Sequence, residues 1–111
     1  MVKVSVEIKD NTQAILADLQ KQQTSFVAQG AFLIQAESRI RVPVDTGNLR
    51  NSIITEVFAE DGQALSETGP TAEYAKYVEY GTSRQEAQPF MEKGYQAAKP
   101  GIDRVAKRLL G

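Results

Sequence analysis

The chain has 111 residues with 13 Lys and Arg against 14 Asp and Glu, a hydrophobic fraction of 41%, and neither cysteine nor histidine. That balance is the composition of one globular domain spanning residues 1–111, and a net charge of −1 argues against general affinity for nucleic acid, which needs a clustered positive field. The two missing residue types exclude disulfides, thiolate or imidazole metal sites, cysteine nucleophiles and the imidazole base.

The charge is unevenly spread. Residues 1–44 hold five Lys and Arg against four Asp and Glu; residues 45–86 hold three against eight; residues 87–111 hold five against two. An acidic middle between more basic flanks is an ordinary solvated surface, and it also suits head-to-tail contact between copies. No apolar run reaches the ~20 residues that span a bilayer, so no membrane partner is expected. The opening MVKVSVEIKD lacks a signal-peptide core, which makes the cytoplasm the expected place of synthesis.

Val2, Val4, Val6 and Ile8 alternate with Lys3, Ser5 and Glu7, the period of a half-buried strand. Asp10 or Asn11 then offers an N-cap oxygen to a helix running from Thr12 to about Arg41. Its seam of Leu19, Phe26, Leu33 and Ile40 repeats every seven residues, flanked by Ile15, Leu16, Val27 and Ile34. The companion positions Gln22, Gln29 and Ala36 weaken a coiled-coil reading, so the expectation is a helix about 45 Å long laid across a sheet. Gly30, within it, is read as a place for close backbone approach.

Pro43 ends the helix. In PVDTGNL, Asp45 bonding its own backbone and Gly47 at positive φ describe a tight turn. A strand follows in NSIITEVFA, with Ile53 and Val57 on one side and Ile54 and Phe58 on the other. Asp61-Gly62 signals a hairpin, and the return strand QALSETG stops at Gly69-Pro70. Its low apolar content predicts a hairpin reaching beyond the core. TAEYAKYVEYGT reads as a short helix or turn stopped by Gly81 in the left-handed region, and SRQEAQ as a mobile loop. Pro89 and Phe90 open the last helix, with Phe90, Ala97, Ala98, Ile102, Val105 and Leu109 along its seam. A helix kinked at Pro100 is the first reading, and two helices joined at Lys99-Pro100-Gly101 the second. The sum is an α+β domain: a small antiparallel sheet, made of the N-terminal strand and a hairpin, covered by one long helix and a kinked C-terminal helix.

Catalytic constellations fail one by one. No lysine stands at a suggestive spacing from Ser52, Ser66 or Ser83, and GxGxxG, GxxxxGK and calcium-loop patterns are absent. The Asp-Thr-Gly of aspartic proteases is matched only in letters, because Asp45 follows a helix and not a buried strand. No catalytic, metal or cofactor-binding residue is assigned, and no enzyme is expected. Tyr74, Tyr77, Tyr80, Arg50 and Arg84 are instead the types enriched at protein interfaces, although Tyr74 or Tyr77 would serve equally as a rim of the core. An Arg50–Glu79 ion pair would join the two distinctive segments.

VPVDTGNLRNSI, followed by GPTAEYAKYVEYGTSRQEAQPFM, resembles the small head–tail joining proteins of long-tailed bacteriophages and prophages, also labelled tail component, neck or tail-completion proteins. The matching residues are Pro43, Asp45, Thr46, Gly47, Leu49, Ser52 and Ile53, then Tyr74, Ala75, Tyr77, Val78, Glu79, Gly81 and Thr82, then Pro89 and Phe90. The resemblance implies a virion structural protein at the head–tail junction, assembled in multiple copies in or around a ring. Its implied partners are further copies, connector or head-closure proteins, tail proteins, and DNA passing through the lumen without specific binding. A prophage-encoded interaction or regulatory module is the alternative.

Overall fold

The structure, a computed structural model, describes the backbone of residues 2–7, 13–43 and 47–110 and the side chains of 20–43 and 47–109. Expectations for Ile8, Asp10, Asn11, Asp45 and Thr46, and for the side chains of Val2, Val4, Val6, Ile15, Leu16 and Leu19, lie outside these described residues. The elements in chain order are β1 (Val2–Glu7), α1 (Gln13–Arg41), α2 (Gly47–Ser52), β2 (Ile53–Glu60), β3 (Gln63–Pro70), α3 (Ala75–Tyr80) and α4 (Phe90–Leu110).

This is the expected α+β arrangement. β1, β3 and β2 form an antiparallel sheet in that order, with Val4 opposite Ser66 and Val57 opposite Ser66 from the other side. Asp61 and Gly62 make the hairpin turn, both at positive φ (51° and 75°), as a type I′ connection requires. The expectation for the return strand is overturned. β3 does not project from the core; it is the central strand, and Ala64, Leu65, Ser66, Thr68 and Gly69 are all buried. Its polar side chains reflect close approach of α1. The Ser66 hydroxyl donates to the Val27 carbonyl at 2.8 Å, and that of Thr68 lies 3.1 Å from the Ala31 carbonyl that accepts it. A larger apolar residue at either position would push the helix away and remove these bonds between sheet and helix. The outer half of β2 does leave the core: Glu56, Val57, Ala59 and Glu60 are exposed.

α1 buries Val27, Gly30, Ala31, Ile34 and Ser38. The true buried face is therefore centred one residue beyond the heptad seam, and Ile40 of that seam is 69% exposed. The reason is that α1 has two neighbours: the sheet on one side, and α4 running antiparallel along it, with Gly94 beside Ser38 and Arg108 bonded to Gln29. α4 is continuous through Pro100, which removes the two-helix alternative, and it buries Phe90, Met91, Gly94, Ala98 and Val105. The close approach assigned to Gly30 is made elsewhere. Among the described residues, a Cβ on Gly30 would meet only the Ile102 side chain at 3.8 Å, whereas one on Gly94 would fall 2.6 Å from Ser38 Cα and 2.7 Å from its nitrogen. The molecule is elongated, 56 × 25 × 20 Å, and its radius of gyration of 16.0 Å exceeds the about 13 Å of a compact chain this long.

Gly94→Ala is expected to lower stability by about 1–3 kcal/mol, because the Ser38 backbone cannot move without displacing the sheet. Gly47→Ala, where no atom of the described residues lies within 4 Å of the added carbon, should be neutral or stabilising by up to about 1 kcal/mol. Urea midpoints of the two variants check the contrast.

Candidate functional site

The two distinctive segments meet. Val42, Leu49, Ile53, Ala75, Val78, Phe90 and Met91 belong to one buried cluster with Ile34 and Ala98. Leu49, which carries α2 into the core, is fully buried, and so are Ile53 at the head of β2 and Phe90 at the head of α4. The spacing of Ala75 and Val78 places both on the inner side of α3.

Polar members of the motifs hold this joint closed. The Ser52 hydroxyl donates to the Leu49 carbonyl at 2.7 Å, while the Ser52 carbonyl accepts from both the amide and the hydroxyl of Thr71 at 2.9 and 3.0 Å. Arg39 reaches from α1 to the Ile53 carbonyl at 2.6 Å, a role the sequence reading did not assign. Glu79 does not pair with Arg50. Its two carboxylate oxygens accept the amides of Met91 (2.9 Å) and Glu92 (3.2 Å), capping the first turn of α4, where a negative charge also meets the positive end of the helix dipole. Arg50 is exposed on α2.

Gly47 is the first helical residue of α2 and not the left-handed member of a turn, and Pro43 is half-buried just after α1. Gly81 has the expected positive φ of 78° but a ψ of 174°, outside the left-handed helical region and in one that glycine alone occupies readily. A Cβ there would lie 2.8 Å from the Ala87 nitrogen and 3.0 Å from the Gln85 carbonyl oxygen. The segment after it is exposed, as its polarity predicts, and it is also tied down. Thr82 and Gln85 exchange backbone hydrogen bonds (2.8 and 3.3 Å), the Thr82 hydroxyl accepts the Arg84 amide at 3.2 Å, and the Gln88 amide donates to the Val78 carbonyl at 2.8 Å. Pro89 sits at the entry to α4, its carbonyl accepting the Lys93 amide at 3.0 Å.

What remains on the outside is aromatic and charged. Tyr74, Tyr77 and Tyr80 are 41%, 51% and 80% exposed, so none of them completes the core, and Arg84 is exposed beside them in sequence. Lys76 stands 5.2 Å from the Tyr77 ring centroid. Between α3 and the first turn of α4 runs an open groove of about 440 Å³, floored by Ala75, Phe90 and Met91 and rimmed by Glu73, Glu79, Glu92, Lys76 and Tyr80. Sequence reasoning missed Glu73, just before the second motif, and Met91 and Glu92, just after Phe90. The remaining signal was the EYGT to QPFM spacing, a carboxylate eleven residues before a Pro-Phe helix start. Among the described residues no group of three acidic side chains is arranged to hold a metal, and no helix is long and apolar enough to cross a membrane.

A protein-family model described as "Bacteriophage HK97-gp10, putative tail-component" matches residues 6–81. The match contains the first motif and the second as far as Gly81, so Thr82, Pro89 and Phe90 lie beyond it. No curated protein and no solved structure matches the chain.

Glu79→Ala should cost about 1 kcal/mol through loss of the α4 cap, with Glu79→Gln recovering part of it by keeping one acceptor oxygen. Gly81→Ala should cost about 1–3 kcal/mol. Thermal unfolding followed by circular dichroism distinguishes these from Arg50→Ala, which should leave the melting temperature unchanged.

Proposed function

The chain belongs to the HK97-gp10 family of bacteriophage tail components, a phage structural family that works among other virion proteins, and on that premise we propose that it acts at the head–tail junction. Several copies stand in or around a ring through which DNA passes, in contact with one another and with connector, head-closure and tail proteins. Residues 1–111 act as one joining domain.

The observation that carries this reading is the division of labour within the motifs. Their apolar and hydrogen-bonding members lock α2, β2, α3 and the start of α4 into a fixed joint, while Tyr74, Tyr77 and Tyr80 stand outside it. Exposed aromatics on a rigid mount bury large area at low entropic cost when a partner arrives. Pro43, Gly47, Leu49, Ser52, Glu79, Gly81, Thr82, Pro89 and Phe90 set the shape; Arg50, Arg84 and the three tyrosines make contact.

The outer edge of β2, unpaired among the described residues, supports a second contact, in which backbone groups pair with a neighbour's sheet. Glu56, Glu60 and Asp61 on the exposed part of this hairpin give it the charge to line a DNA channel without holding DNA, since phosphate is repelled. An assembled ring with the hairpin on its outer surface would sink that assignment.

Quantitative mass spectrometry of purified particles should find the chain in a fixed multiple of copies. Tyr77→Ala and Tyr80→Ala should leave the melting temperature within about 0.5 kcal/mol equivalent of wild type, as exposed substitutions do, yet reduce incorporation into particles. Absence of the chain from particles would refute the virion role.

A further inference from the structure

We propose that the groove between α3 and the first turn of α4 receives the basic C-terminal turns of α4 from a second copy of the chain, an inference that rests on the multi-copy reading above. The groove is concave, with an apolar floor at Phe90 and Met91 and three carboxylates, Glu73, Glu79 and Glu92, around one lysine, Lys76. Glu79 is partly neutralised by the amides it caps, so Glu73 and Glu92, both exposed, supply the free negative charge.

The complementary surface is on the same helix. Arg104, Lys107 and Arg108 are all exposed and fall at i, i+3 and i+4, on one face of α4, and Arg108, which donates to Gln29 of α1 through one nitrogen, keeps its other donors. Glu92 and Arg108 are separated by sixteen residues, about 24 Å along a helix at 1.5 Å per residue. That is more than twice the Debye length of about 8–10 Å in ordinary salt, so the two ends of α4 cannot neutralise each other within one copy. Between copies they can. A groove at one end and its ligand at the other define a heterologous, head-to-tail contact, the kind that repeats around a ring if the rotation closes. The other acidic feature, Glu60 and Asp61, is the tip of a two-residue turn and offers no concavity.

Because the chain has no cysteine, single thiols can be introduced as the sole reactive groups. Glu73→Cys and Lys107→Cys proteins, mixed in equal amounts at low salt with a short bismaleimide, should give a 73–107 cross-linked heterodimer several-fold above the yield from Glu60→Cys with Lys107→Cys. The yield should fall several-fold in 1 M salt, where the Debye length is about 3 Å. It should also fall when the partner carries Arg104→Glu and Arg108→Glu, and return when Glu92→Lys is added to the groove copy. A 73–107 yield no greater than that of the Glu60→Cys control would overturn the proposal, and a yield indifferent to salt and to the charge swap would do so equally. Particle copy number is read separately. The chain present in particles without the cross-link leaves the virion reading standing and removes this contact; its absence from particles removes the virion reading whatever the cross-link shows.

Discussion

Everything else in the molecule depends on how closely α1 is approached from two directions. On one side the hydroxyls of Ser66 and Thr68 bond to its carbonyls at Val27 and Ala31; on the other Gly94 rests on the backbone of Ser38. Small residues at these points bring backbones together, and the surrounding apolar side chains then interdigitate at the density of a solid. Leucines in the same places would bury more surface per residue but would hold sheet and helix apart. The core would then lose the contact between the two ends of the chain, because α4 is held chiefly by α1.

The joint built by α2, the head of β2, α3 and the head of α4 extends the same logic. None of these pieces is long enough to be stable alone; α2 and α3 have six residues each. Their geometry comes from side chains that bond to neighbouring backbone, with Arg39, Thr71 and Glu79 each joining two segments. The joint holds α3 at a fixed angle with its tyrosines outward, which suits a structural component whose neighbours must find the same surface every time.

Much of this was legible beforehand, for physical reasons that can be named. The alternation in VKVSVEI, the proline-free stretch before Arg41 and the Asp61-Gly62 turn are local signals, and the corresponding elements stand where those signals put them. The position of β3 was not legible. Its Ser66 and Thr68 look solvated until the helix carbonyls that receive them are in place, and those carbonyls are almost forty residues away. The heptad seam pointed to Ile40 as core because a single-neighbour helix would bury it, and α1 has two neighbours on other faces. Glu79 read as half of an ion pair because charge suggests charge. The amides of a helix start are an equal attraction, and they are invisible in a sequence. At the candidate site the motif letters located the joint, and the groove residues between them emerged only from packing.

The sheet order carries a consequence for how the chain reaches this structure. β2 and β3 are joined by a two-residue turn, so their pairing needs almost no loop closure and can form in about 1–10 μs. β1 joins the opposite edge of β3 only after the ends of a loop more than fifty residues long, containing all of α1, have been brought together. The hairpin is therefore expected to be the early, local event, and the edge of β3 that β1 will occupy stays open until the long helix has docked. During that interval the central strand of the native sheet is half unpaired, and a crowd of identical chains offers it many copies of the same β1 segment. Exchange of that strand between neighbours is the characteristic error this topology invites.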